Sequence, residues 1–131
     1  MIGVDTNVLI RYIAQDDAAQ SRRATKFIET ECSVDTPGYV GVVVLVEVVW
    51  VSESIYRASR REVADILRRL LGIKQLVVQN AETVWQALRL FESSKADFAD
   101  CLVIRSAESD GCARIMTFDK NAALAGMTLL A

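Results

Sequence analysis

The sequence predicts an α/β fold, a three-layer α/β/α sandwich around a mainly parallel central sheet. Three observations point there. Short apolar runs alternate with segments of helical periodicity along the whole chain. Acidic residues recur where such a run ends and a helix begins, the region in which open α/β sheets collect their ligands. The chain has 131 residues, 52% of them hydrophobic, which suits one compact domain with a sizeable core. With a single proline, Pro37, no Gly- or Ser-rich stretch and no internal repeat, residues 1–131 are expected to form one domain.

Ile2 to Val4 is an apolar run bounded by Asp5, Thr6 and Asn7, which predicts a buried strand ending in a turn. Val8 to Ile13 is helix-compatible. Asp16-Asp17 opens a second helix, whose stripe of Ala18, Ala24, Phe27 and Ile28 ends near Cys32. Thr36-Pro37-Gly38 marks a turn, and Tyr39-Val40-Gly41 a short strand. Val42 to Val51 is ambiguous. Its β-branched residues favour a strand, yet it continues to Arg57 without a turn signal, and a strand that long is unusual; length selects a helix. Ser59-Arg60-Arg61-Glu62 is a capping box, followed by Val63, Ile66, Leu67, Leu70 and Leu71 at helical spacing and by Gly72 as the stop. Leu76 to Val78 reads as a strand. Asn80 is the expected cap of a helix that turns Val84, Ala87, Leu88 and Phe91 inward. Asp97 to Ser109, closed by Gly111, is another helix. A strand at Ile115–Thr117, a short helix from Asp119 to Ala125 and a strand from Met127 to Leu130 complete the chain.

Composition removes several chemistries. There is no histidine, so His-based acid–base catalysis, Ser-His triads and His-ligated zinc are excluded. Cys32, Cys101 and Cys112 are far apart and odd in number, which is neither a disulfide framework nor zinc spacing. No signal peptide is expected, and the longest apolar run is too short for a bilayer and is broken by Glu47, so the cytoplasm is the expected compartment. A net charge of −2 does not mark a nucleic-acid binder. Arg57, Arg60, Arg61, Arg68 and Arg69 nevertheless lie close together in the chain. They form either solvated helix faces or a phosphate-binding rim.

The acids carry the candidate chemistry. Asp5 follows the first strand, and Glu47 stands alone in the apolar decapeptide Val42–Val51. A buried carboxylate is rare unless paired, protonated or bound to a metal; the alternatives are an edge position that reaches water, or a distant Arg. Asp97 and Asp100 share a helix face at i and i+3, and Asp119 repeats the strand-to-helix placement of Asp5. Each Asp could equally be a helix cap. If parallel strands bring these acids to one sheet edge, they suit a hard divalent cation, Mg²⁺ or Mn²⁺, which can activate water and stabilise charge on a phosphate oxygen.

Four stretches, Asp5-Thr6-Asn7-Val8-Leu9, Glu47-Val48-Val49-Trp50, Ala96-Asp97-Phe98-Ala99-Asp100 and Thr117-Phe118-Asp119-Lys120, occur in the order seen in PIN-domain ribonucleases. The chain resembles in particular the VapC-type toxins of bacterial toxin–antitoxin pairs. The resemblance implies a PIN fold with a helical Glu47 segment and Mg²⁺- or Mn²⁺-dependent hydrolysis of RNA phosphodiesters. Asp5, Glu47 and Asp100 match the family's three core acids, and Asp119 a more variable fourth. Asp97 lies beside Asp100, and the sequence leaves open which of the two faces the metal. Thr6, Asn7 and Thr117 are expected to orient the acids or a bound water. Arg11, Arg57, Arg60, Arg61 and Lys120 are the candidate RNA contacts. Gly41 departs from relatives that carry a hydroxyl residue before the Glu helix. The resemblance further implies a homodimer and a cognate antitoxin.

Rival readings start from the same acids. A haloacid-dehalogenase-like phosphatase would need a second Asp where Asn7 stands. A receiver-like phosphoacceptor would need paired acids after the first strand and a phosphoacceptor Asp after the third. A PIN fold that only binds RNA or a protein partner is the remaining alternative.

Overall fold

The computed structural model describes residues 1–130. The chain divides into an amino-terminal unit, Met1–Gln79, and a carboxy-terminal unit that begins at Asn80.

The first unit runs β1 (Ile2–Gly3), α1 (Thr6–Ala14), α2 (Ala18–Lys26), a π-helical turn (Phe27–Glu31), β2 (Gly38–Val40), α3 (Val42–Ser54), α4 (Arg60–Gly72) and β3 (Leu76–Val78). Its sheet has the order β1-β2-β3 with both pairings parallel, Gly3 opposite Tyr39 and Tyr39 opposite Val77. The parallel register sets the carboxyl ends of the strands side by side, so Asp5, Gly41 and Gln79 follow neighbouring strands. The central strand passes close to its neighbours. A Cβ at Gly38 would lie 2.8 Å from Leu76 Cδ2 and 3.0 Å from Val4 Cγ2. The buried strand expected at Ile2–Val4 is only partly so. Ile2 is 39% exposed, and Val4, just beyond the strand, is the buried member of the run.

The ambiguous stretch is helical. Leu45, Val48, Val49 and Ser52 are its buried residues, at helical spacing, whereas Val43, Glu47 and Trp50 recur on the exposed side. Burial of a whole helical face overrides the strand propensity of the valines. Gly41, at the N-cap, has no side chain to satisfy the helix's first N–H groups. The Gln79 side chain, arriving from the end of β3, accepts from Val42 N–H at 3.0 Å instead. The capping box of α4 is formed as expected, Ser59 Oγ accepting from Glu62 N–H and Glu62 Oε1 from Ser59 N–H.

The second unit runs α5 (Ala81–Ser93), α6 (Phe98–Ser109), β4 (Met116–Thr117), α7 (Lys120–Ala125) and β5 (Thr128–Leu129). β4 and β5 pair in parallel, with α7 as the crossover between them. Phe91 of α5 meets Phe98 of α6 edge to face, ring centroids 6.2 Å apart. Ile104, Ala122 and Met127 form a second buried cluster with Leu90, Ile115 and Ala125 against it. Asn80 occupies the expected cap position of α5, but its backbone is left-handed at φ 48° and no side-chain cap bond forms. Among the described residues every strand pairing is parallel, and no helix is long and apolar enough to cross a membrane.

Candidate functional site

Thr6 connects the two acids of the first unit. Its backbone N–H donates to Asp5 Oδ1 at 2.8 Å, and its hydroxyl Oγ1 donates to Glu47 Oε1 at 3.0 Å. The sequence marked Thr6 as an orienting residue for Asp5 or a water; its hydroxyl is bonded to Glu47. Glu47 itself requires a correction. It is not a buried charge but an exposed one, sharing a helix face with Val43, 70% exposed, and Trp50, 64% exposed. The apolar decapeptide around it divides between a core face and an exposed apolar face, which composition alone does not distinguish. Asn7 lines a cavity of about 410 Å³, together with Val4, Val8, Arg11, Arg23 and Phe27.

Asp97, Asp100 and Asp119 interact within the second unit. Asp97 caps α6, its Oδ1 accepting from Asp100 N–H at 2.8 Å. Asp119 caps α7, its Oδ1 accepting from Asn121 N–H at 2.8 Å and Ala122 N–H at 3.2 Å. Thr117 Oγ1 in turn accepts from Asp119 N–H at 3.0 Å, so the side chain at the end of β4 fixes the turn that carries the acid. These capping bonds, like that of Asp5, engage Oδ1. A carboxylate offers two oxygens and several lone pairs, so capping and cation binding are compatible. Asp100 is half-buried, and its carboxyl is held above the ordinary carboxylate range. Burial is the first cause, then the charges of Asp97 and Asp119 and a hydrogen bond with Asp97. A nearby cation would relieve that crowding. Among the described residues, no group of three or more His, Cys, Asp or Glu is arranged to hold a metal ion. The acids therefore stand as a Thr6-linked pair in one unit and an electrostatically coupled trio in the other.

Arg11 pairs with Asp16 at 3.1 Å and donates to Gln20 at 2.7 Å. Tyr56 also donates to Asp16, at 2.7 Å, and this bond is the main reason the Asp16 carboxyl lies below its usual range. Arg57 is exposed at a left-handed φ of 55°. Arg60 and Arg61 are exposed at the start of α4, and Lys120 at the start of α7. Arg68 pairs with Asp65 at 3.0 Å, and Arg69 lies over the Tyr12 ring, 5.3 Å from its centroid. Gln79, which completes the α3 cap, had no sequence signal beyond the missing side chain at Gly41.

Parallel βα units with carboxylates at strand-to-helix turns define an α/β protein. The PIN domain family matches residues 2–126, and the chain belongs to that family. The expected α/β fold class stands with it. PIN domains are in general nuclease modules, typically served by divalent metals. No curated protein matches the sequence.

Proposed function

We propose that the chain is a metal-dependent ribonuclease, one PIN domain over residues 1–131, acting as the toxin of a toxin–antitoxin pair. The observation that carries the reading is the Asp100 carboxyl, raised first by burial and then by the charges of Asp97 and Asp119, in a chain that belongs to a nuclease family. Burying a carboxyl beside like charges is costly, and a cation offsets that cost. The donors are carboxylate oxygens, and there is no histidine, which fits Mg²⁺ or Mn²⁺.

Asp5, Glu47, Asp100 and Asp119 would hold the ion. Asp100 is favoured over Asp97 because it is the half-buried, strained carboxyl, whereas Asp97 is exposed and caps α6. When bound, the ion lowers the pKa of water and offsets charge on a phosphate oxygen. The remaining work falls to the chain. Thr6 fixes the orientation of Glu47 through its hydroxyl and of Asp5 through its N–H. Thr117 and the α7 cap fix Asp119. Arg57, Arg60, Arg61 and Lys120 are exposed cations able to attract an RNA backbone. Arg11 serves the Asp16–Tyr56 network first. A homodimer, a cognate antitoxin and a cytoplasmic location complete the proposal. The exposed apolar side chains support a partner surface, and the number and spacing of the cysteines support a reducing compartment.

The test is incubation of the purified chain with labelled RNA, with and without Mn²⁺. Metal-dependent cleavage, lost in Asp100→Asn, is the expected result. Binding without cleavage under any divalent ion would instead identify a non-catalytic module.

A further inference from the structure

Phe118 stands between Thr117, the last residue of β4, and Asp119, the cap of α7, and it is 79% exposed. A ring so open to water adds little to the core and leaves its π-face available to a ligand. The backbone around it is not loose. Asp119 N–H donates to Thr117 Oγ1 at 3.0 Å on one side, and the Asp119 cap bonds at 2.8 and 3.2 Å secure the other. The ring is therefore presented from a fixed bend, directly beside Asp119, whose charge acts on Asp100. Lys120, next in the chain, is exposed and supplies a positive charge.

We propose that Phe118 is a base-stacking platform that selects single-stranded RNA, its ring covering the face of an unpaired nucleobase while Lys120 attracts the adjoining phosphate. The identity of the ligand as RNA rests on the nuclease reading above. Every base has a π-face, so such a platform tolerates sequence but requires a base whose face is free. Bases within a duplex are already covered by their neighbours. A backbone bend already fixed by hydrogen bonds loses little conformational freedom on stacking. The competing role, an apolar contact for a protein, would use Phe118 together with Leu124 of α7, which is 84% exposed.

The test uses the full chain and a fluorescein-labelled oligoadenylate, either single-stranded or paired with oligouridylate. Binding is read by fluorescence anisotropy in Mn²⁺, in a Glu47→Gln background that keeps the RNA intact. Phe118→Ala should weaken single-strand binding about tenfold, within the range of base–aromatic stacking. Phe118→Leu should fail to restore it, Phe118→Trp should restore it, and duplex binding should not change. Full affinity in Phe118→Leu, or equal loss for single strand and duplex, overturns the proposal. So does a result in which Phe118→Ala and Leu124→Ala alter the mass of the particle and leave RNA binding intact. Cleavage is scored separately with Glu47 present. If Mn²⁺-dependent cutting occurs and Phe118→Ala leaves KM unchanged, the stacking role alone fails. If binding depends on Phe118 but nothing is cut, the hydrolytic reading alone fails.

Discussion

Thr6 is the residue through which the amino-terminal acids are held, one by its N–H and the other by its hydroxyl. Thr6→Val keeps the shape and the N–H but removes the donor to Glu47. Cleavage should fall about tenfold or more, and Thr6→Ser should recover most of it. Asp100 contributes a pH dependence to the metal-free protein. Its folded carboxyl titrates above the ordinary value, so the folded state binds more protons than the unfolded state between those two values. Stability contributed there is lost as pH rises through that window. Urea melts in chelator, taken from acid to neutral pH, should show wild type losing stability relative to Asp100→Asn. Parallel curves for the two proteins would contradict a raised Asp100 carboxyl. The exposure of Glu47 changes the expectation for that acid. Glu47→Gln should leave the metal-free melting temperature nearly unchanged and weaken the shift given by Mn²⁺.

At the scale of elements, α3 depends on a cap that is not its own. Gln79→Ala should cost about 1 kcal/mol in urea unfolding, because Val42 N–H loses its acceptor. A Cβ at Gly41 would meet Gln79 Oε1 at an ordinary 3.6 Å, and φ −74° with ψ 157° suits a serine cap. Gly41→Ser in the Gln79→Ala background should therefore recover much of the loss; no recovery would show that the cap is not what Gln79 supplies. These same elements show what was legible in the sequence. The Ser59–Glu62 box, the Asp97 and Asp119 caps and the helix of α3 all follow from local rules of spacing and length. The Gln79 cap and the Thr6–Glu47 bond join residues 37 and 41 positions apart, and no local pattern encodes such a pairing. The burial expected of Glu47 failed for a related reason. An apolar decapeptide reads the same whether its helix hides both faces or leaves one open.

At the scale of the whole molecule, apolar side chains remain exposed in both units, among them Val43, Trp50 and Ile55 in the first and Leu124 in the second. A chain with this much open apolar surface is expected to be a symmetric dimer at micromolar concentration. Light scattering would read twice the chain's 14.5 kDa mass, and a monomer mass would count against it. In the proposed reaction the carboxylates act through a divalent cation on RNA. The most direct measurement is the cleavage rate of labelled single-stranded RNA in Mn²⁺ and in excess EDTA, for wild type, Glu47→Gln and Asp100→Asn. The predicted result is cutting by wild type in Mn²⁺ alone, with none by either variant. Cutting that continues unchanged in EDTA, or at full rate in both variants, would contradict it.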